Sequence, residues 1–136
     1  MATAIHAKKF AEAFNSVTIC SANFSLDIAS DAAEATTSCD AAKVFSQGKY
    51  GWTASDGGPT DFADNGQDET IFTNVTGGGA QTLSFKANGD AATSATNPSY
   101  SGSAFVTSYS IAADIGSTVQ ASTSFQGTGA LARAVA

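Results

Sequence analysis

The sequence predicts a mainly β protein, an antiparallel β-sandwich or barrel with one flanking α-helix at about residues 65–76. Three observations predict it. Apolar and polar residues alternate with period two in five separate segments, the mark of half-buried strands. Only one segment, between the Asp56-Gly-Gly-Pro59 turn and Gly77-Gly-Gly79, has the spacing and the first-turn acids of a helix. The last two alternating segments are joined by Asp114-Ile-Gly116, a connection short enough for a hairpin.

Residues 4–14 set Ile5, Phe10, Ala13 and Phe14 loosely at helical spacing, so residues 1–15 are expected to form an N-terminal arm or a short helix. From Val17 to Ala29, Phe24, Leu26 and Ile28 face one way and Ser25 and Asp27 the other, as in a strand. Residues 30–48 are small and polar apart from Val44 and Phe45, and predict a long excursion with little structure of its own. Lys49–Ser55 alternates again, with Tyr50, Trp52 and Ala54 on one side. In the helix, Asp64 precedes Gln67 by three residues as in a capping box, Asp68 and Glu69 favour the N-terminal end of the dipole, and Gly77-Gly-Gly79 stops the run. Ile71, Phe72 and Val75 supply its apolar face. Three further strands follow: Gln81–Ala87 with Leu83 and Phe85 inward, Ser103–Ala113 with Phe105, Thr107, Tyr109 and Ile111, and Ser117–Gln126 with Val119, Ala121, Thr123 and Phe125. The expected core is therefore Phe24, Leu26, Ile28, Trp52, Ile71, Phe72, Leu83, Phe85, Phe105, Tyr109, Val119 and Phe125.

A chain of 136 residues is one domain, 1–136. Hydrophobic residues make up 43% of it, yet 27 of them are alanine, so the core is small. Only 13% of residues are charged, about half the ~25% usual for soluble domains. Charge is depleted where surface is buried against a partner, so this composition fits a chain that completes its burial by assembling with copies of itself. It equally fits a β protein solvated by Ser and Thr. The net charge of −6 argues against a duplex-DNA reader, whose affinity rests on neutralising phosphates. No apolar run approaches the ~18 residues of a membrane-spanning segment, and the first ten residues lack the apolar stretch of a signal peptide. Cys20 and Cys39, without CxxC spacing, are expected as reduced, partly buried thiols.

Catalytic chemistry finds no purchase. His6 is the one histidine, and no acid or nucleophile stands near it in sequence, so a Ser-His-Asp or Cys-His arrangement is not expected. Gly127-Thr-Gly129-Ala-Leu-Ala132 matches GxGxxA, but four residues after it leave no room for the helix and strand of a dinucleotide site. The acids Asp56, Asp61, Asp64, Asp68 and Glu69 suggest calcium, yet aligning Gly66 to an EF-hand glycine puts Ala63 and Phe72 where ligands belong. A solvated acidic face, or contact with Lys8, Lys9, Lys43 or Lys49 of a neighbouring copy, accounts for them better. Asn23-Phe-Ser25 and Asn74-Val-Thr76 match the glycosylation pattern, which has meaning only with export. The sequence thus predicts no catalytic residue, no cofactor and no metal. A carbohydrate-binding or adhesin sandwich is a different class of reading, with Trp52 and three Tyr as its only sugar platforms.

Two ordered stretches carry a resemblance. Asp31-Ala-Ala-Glu34-Ala-Thr36-Thr37, then Ala42-Lys43-Val44-Phe45-Ser46-Gln47-Gly48 and Gly51-Trp52-Thr-Ala-Ser55, is similar to an acidic-Thr segment, a lysine-aromatic turn and a strand of small residues. Phe105-Val-Thr-Ser-Tyr109-Ser-Ile-Ala-Ala, a turn, and Val119-Gln-Ala-Ser-Thr-Ser-Phe125-Gln-Gly127-Thr-Gly129-Ala-Leu131 is similar to a C-terminal hairpin closing in F-x-G-x-G-x-L. In this order they resemble the major tail tube proteins of long-tailed, non-contractile bacteriophages over most of residues 15–131. Gln47 stands where that family often has Pro. The resemblance implies a tail-tube-like fold and a structural virion protein, made in the bacterial host's cytoplasm, whose hexameric rings stack into a hollow tube for genome delivery. Its implied partners are copies of itself, a tip initiator, a terminator, a tape measure in the lumen, and transiting DNA that is not specifically bound. The tube of a gene-transfer or secretion particle would use the same fold. Residues 30–48 and 56–66, as excursions from the sandwich, are the expected subunit contacts, with Asp31, Glu34, Lys43, Phe45, Lys49, Asp56, Asp61 and Asp64 as the candidates.

Overall fold

The computed structural model describes residues 10–60, 62, 66–89 and 91–135. Seven strands occupy Ala11–Phe14 (β1), Val17–Thr18 (β2), Asn23–Glu34 (β3), Phe45–Pro59 (β4), Gln81–Lys86 (β5), Ser99–Ala112 (β6) and Gln120–Ala134 (β7), with one helix, Gln67–Thr73 (α1), between β4 and β5. They form one antiparallel sheet in the order β2-β1-β5-β6-β7-β4-β3. The sheet curls until strands far apart in that order face each other. Phe24 of β3 stacks on Phe85 of β5 with ring centroids 4.3 Å apart, and Phe14 of β1 meets Phe125 of β7 at 5.0 Å. The result is a sandwich made from a single folded sheet, and α1 sends Ile71 into the core it encloses.

The first strand corrects an expectation. Residues 11–14 are not helical: Glu12 and Phe14 point inward with period two, and the segment pairs with β5 from Ala11↔Lys86 to Phe14↔Leu83. Asn15 and Ser16, both at positive φ, turn the chain into β2, as a two-residue hairpin of matching twist requires. The remainder of the expected arm, with His6, Lys8 and Lys9, lies outside the described residues.

Residues 30–48 are likewise not an irregular excursion. β3 and β4 stay paired from Asn23↔Gly57 out to Glu34↔Phe45, with one register shift near Ser30, and so make a long two-stranded arm. The small polar residues hid this because the arm has no buried face to impose alternation. Its tip is ordered by Asp40, whose carboxylate accepts from the Thr37 amide at 2.7 Å and from the Thr37 hydroxyl at 3.1 Å.

Trp52, Ile71, Leu83 and Phe125 lie in the buried cluster with Phe14, Ile19, Ala54, Ala104 and Val106, while Phe24, Leu26 and Tyr109 pack against it partly buried. Phe85 and Val119 are half-buried. Three expected core residues are exposed. Ile28 keeps the alternation of Phe24 and Leu26, but it stands where the arm has left the opposing layer, and it is 52% exposed. Phe72 is 58% exposed because it follows Ile71 by one residue, about 100° around the helix; the buried stripe is Gln67, Ile71 and Asn74. Phe105 is exposed because the inward residues of β6 are Ala104 and Val106. A bulge between Val106 and Ser108 then shifts the parity, which is how Tyr109 returns inward.

The helix also starts differently. Its N-cap position is Gly66, with no side-chain cap, and Asp64 lies outside the described residues. Gln67 does not reach back as in a capping box: it is buried, and its Oε1 accepts from the Cys20 amide at 3.3 Å. A widened turn over Asn74–Gly78 ends the run at Gly77 and Gly79, both at positive φ. Within it, buried Asn74 accepts from the Val106 amide at 2.7 Å and donates to the Gly79 carbonyl at 2.6 Å. That side chain takes over one edge group of β6 just past Ala104, where pairing with β5 ends. Tyr109 ties β6 to the same helix by donating to Asp68 at 2.7 Å. Burial foremost, with the Asp68 charge adding, raises the phenol's pKa against the lowering pull of Thr60.

Trp52 fills the centre of the sandwich against two glycines. A Cβ on Gly127 would lie 2.2 Å from the indole ring atoms, and one on Gly102 would lie 2.7 Å from Trp52 Cζ2. Gly127→Ala should therefore destabilise the fold by about 2–3 kcal/mol through overpacking. Gly51→Ala, where an added Cβ meets nothing within 4 Å, should stay within about 0.5 kcal/mol of wild type. Urea unfolding of the two variants checks both values.

Candidate assembly surfaces

The sheet has more strand than body. β7 pairs with β4 only from Thr53↔Gln126 to Pro59↔Gln120, while β4 continues to Phe45 and β7 continues to Ala134. The two strands therefore diverge at Trp52 like a fork, each with an unpaired edge toward the other. One clasp crosses the opening, where the Leu131 amide donates to Tyr50 Oη at 3.0 Å. At the opposite end, β5 pairs with β6 only as far as Ala104, so Phe105–Ala112 offers a further open edge, apart from the Val106 amide held by Asn74. The outer edge of β3 has no neighbour in the sheet. Unpaired amides and carbonyls along such edges are templates for another strand.

Several large apolar side chains near these edges face solvent. On the arm, Ile28, Val44, Phe45 and Tyr50 are all exposed, and the far end of the β6–β7 hairpin exposes Phe105, Ile111 and Ile115. Large exposed apolar side chains gathered on particular elements are candidates for interaction surface. Lys43 and Lys49 are the arm's cations and Asp27, Asp31, Glu34 and Asp40 its anions.

The structure brings five of the predicted contact residues to this arm: Asp31 and Glu34 on β3, Phe45 and Lys49 on β4, and Lys43 in the loop between them, all exposed. Four of them are strand residues, not loop residues, for the reason given above. Asp56 must be withdrawn. It lies on β4 with 4% exposure, facing inward, because the turn chemistry of Gly57-Gly58-Pro59 falls within the strand. Asp61 and Asp64 lie outside the described residues. The sequence missed Ile111, Ile115 and the unpaired edges; the only signal for those edges was the near absence of lysine along the strands.

Burial also places other residues that the sequence singles out. Trp52 is 3% exposed and so presents no face to a sugar. Cys20 and Cys39 are free thiols, but both are exposed, not partly buried. Among the described residues no three His, Cys, Asp or Glu side chains converge as metal ligands, and no helix is long and apolar enough to cross a membrane.

By sequence the chain matches no protein-family model and no curated protein. By structure it is similar to a chain of the virion of a native gene transfer agent particle, at TM-score 0.76 and 15% identity over 96% of this chain and 98% of that one. It is similar to the SPP1 tail tube at TM-score 0.76 and 10% identity, over 98% of this chain and 80% of that one. It is also similar to a chain in the tail of an empty gene transfer agent particle of C6 symmetry, at TM-score 0.68 and 15% identity, over 85% and 83%. At such identities the likeness shows the fold: this chain has the tail-tube fold, mainly antiparallel β with one short helix.

Because Ile28 and Phe45 already face solvent in the single chain, Ile28→Thr and Phe45→Ser should each change its stability by less than about 0.5 kcal/mol. Urea unfolding at a concentration where sedimentation shows one species measures this.

Proposed function

We propose that this chain is a structural tail-tube subunit whose copies close into hexameric rings, and that the rings stack into a hollow tube through which a genome passes. The observation that carries the reading is the divided sheet: two arms leave the core with unpaired edges and apolar side chains exposed, a surface complete only against another copy. The tail-tube fold, matched along nearly the whole chain, supports it, and the sixfold count follows the C6 symmetry of the similar gene transfer agent tail. Head-to-tail contacts close a ring when the rotation closes and give an open polymer along the stacking axis. Edges with few lysines leave strand addition unopposed. The net charge of −6 per copy, where it faces the lumen, repels phosphates and lets DNA slide without binding.

The partners are then copies of itself, a tip initiator and a terminator at the ends, and a tape measure inside. The protein resides in the virion tail after synthesis in the bacterial cytoplasm, and acts by assembly with no enzymatic step. A second reading, the tube of a gene-transfer particle, would use the same fold, and two of the similar chains belong to such particles.

Negative-stain electron microscopy of concentrated purified protein should show hollow tubes or six-fold rings. Phe45→Ser should lose them while keeping wild-type unfolding. A protein that stays monomeric at every concentration, and remains so with a tail-tip complex added, would sink the proposal.

A further inference from the structure

Glu12 of β1 and Asp56 of β4 form a buried pair that neither the assembly surfaces nor the apolar packing explains. Their strands are not neighbours, since β5, β6 and β7 separate them in the sheet, so the contact crosses the sandwich from one layer to the other. Glu12 is 2% exposed. The Ser21 hydroxyl donates to Glu12 Oε1 at 2.8 Å, the Thr123 hydroxyl donates to Asp56, and the two carboxyls are in hydrogen-bonding contact with each other. Glu12 Oε2 and Asp56 Oδ2 are enclosed and no other group donates to them.

Two carboxylates cannot satisfy one another. Both are acceptors only, and two like charges in contact away from water repel strongly. One proton removes both faults, supplying the missing donor and leaving one charge where there would be two. We infer that Glu12 and Asp56 share a single proton, and that this proton latches β1 to β4 across the sandwich, so that base releases the latch.

The surroundings favour the protonated pair. Burial first, then the hydrogen bond and charge of Asp56, push Glu12 up to about 10, and burial also raises Asp56. Ser21, in the link to β3, and Thr123 of β7 contribute neutral hydroxyls. On β6, Tyr109 feels the charge of Asp56, and Asp68 of α1 accepts from Tyr109. Both are acidic, so neither favours a second negative charge. Phe14 and Phe125, each two residues along from a member of this group, close the seam with their ring contact. When hydroxide takes the proton as water, two charges remain in that apolar setting and drive β1 from β4.

The sign follows from the direction of the shift. Glu12 holds its proton in the folded chain up to about 10 and gives it up near 4.5 when unfolded. Stability is therefore full below about 4.5 and declines as the pH rises toward about 10. Across that window the unfolding equilibrium constant should rise about tenfold per pH unit, one proton's worth.

Urea unfolding of the full chain from pH 5 to 10, at a concentration below assembly, compares wild type with Glu12→Gln, whose amide donates to Asp56 at every pH. The expected result is the tenfold-per-unit rise in wild type and its loss in Glu12→Gln; parallel curves would overturn the inference. An infrared spectrum of wild type in D2O at pH 8 needs no variant to fold. A protonated-carboxyl carbonyl band there supports the shared proton, and a spectrum of carboxylates alone overturns it.

Discussion

The contact between the Trp52 indole and the bare backbones at Gly102 and Gly127 is the constraint on which the rest of the sandwich depends. An indole of that size fits only because two strands present no side chain beneath it. Gly127 follows Gln126, the β7 residue paired with Thr53, and Trp52 precedes Thr53, so the ring sits at the crotch where β4 and β7 part. On one side of it β4 and β7 are paired to each other; on the other side they part, β4 continuing beside β3 and β7 beside β6. This packing contact thus marks the point where the β3–β4 arm leaves the rest of the sheet. Burying a large apolar side chain of this kind contributes about 1.5–3 kcal/mol, and Trp52 shares that role with Phe14, Ile71, Leu83 and Phe125.

How far the sequence disclosed this architecture depended on burial. Where a strand has one wet and one dry face, as Phe24–Leu26, Trp52–Ala54 and Ala121–Phe125 do, alternation carried the assignment. Where that contrast disappears, it failed. The β3–β4 arm is exposed on both faces, so Ala32, Ala33 and Ser46 give no period, although they pair in strict register. The bulge at Thr107 separates the faces of Phe105 and Tyr109, turning Tyr109 inward while Phe105 stays outward, and nothing in Phe-Val-Thr-Ser-Tyr marks an extra residue. Of the candidate assembly residues, those on the arm were found through its polar, small composition. Asp56 was misplaced because Asp-Gly-Gly-Pro has the chemistry of a turn and here continues a strand. Glu12 gave no sign of its burial, since a glutamate among alanines and phenylalanines fits an amphipathic helix equally well.

The sparse charge of the whole chain now has a location. Charged side chains are not thinned evenly: the arm carries both signs, while β6 and the far hairpin carry a single acid, Asp114, among alanine, serine, isoleucine and threonine. In the proposed assembly, serine and threonine solvate these strands without placing lysines where a neighbour's strand would lie. Solvation of an edge and strand addition to it are opposing demands, and hydroxyl-rich strands are compatible with both.

Asn74 gives that readiness a starting mark. Its carboxamide occupies the first outward amide of β6 beyond the point where β5 leaves, so in the proposed assembly a strand added along that edge would find Val106 already engaged and would begin farther out. Because side-chain direction reverses with each residue of slip, a fixed starting amide also fixes which face of the incoming strand turns inward. In the proposed assembly Asn74, in the turn that ends the helix, would thereby act as a ruler, setting the phase between one copy and the next.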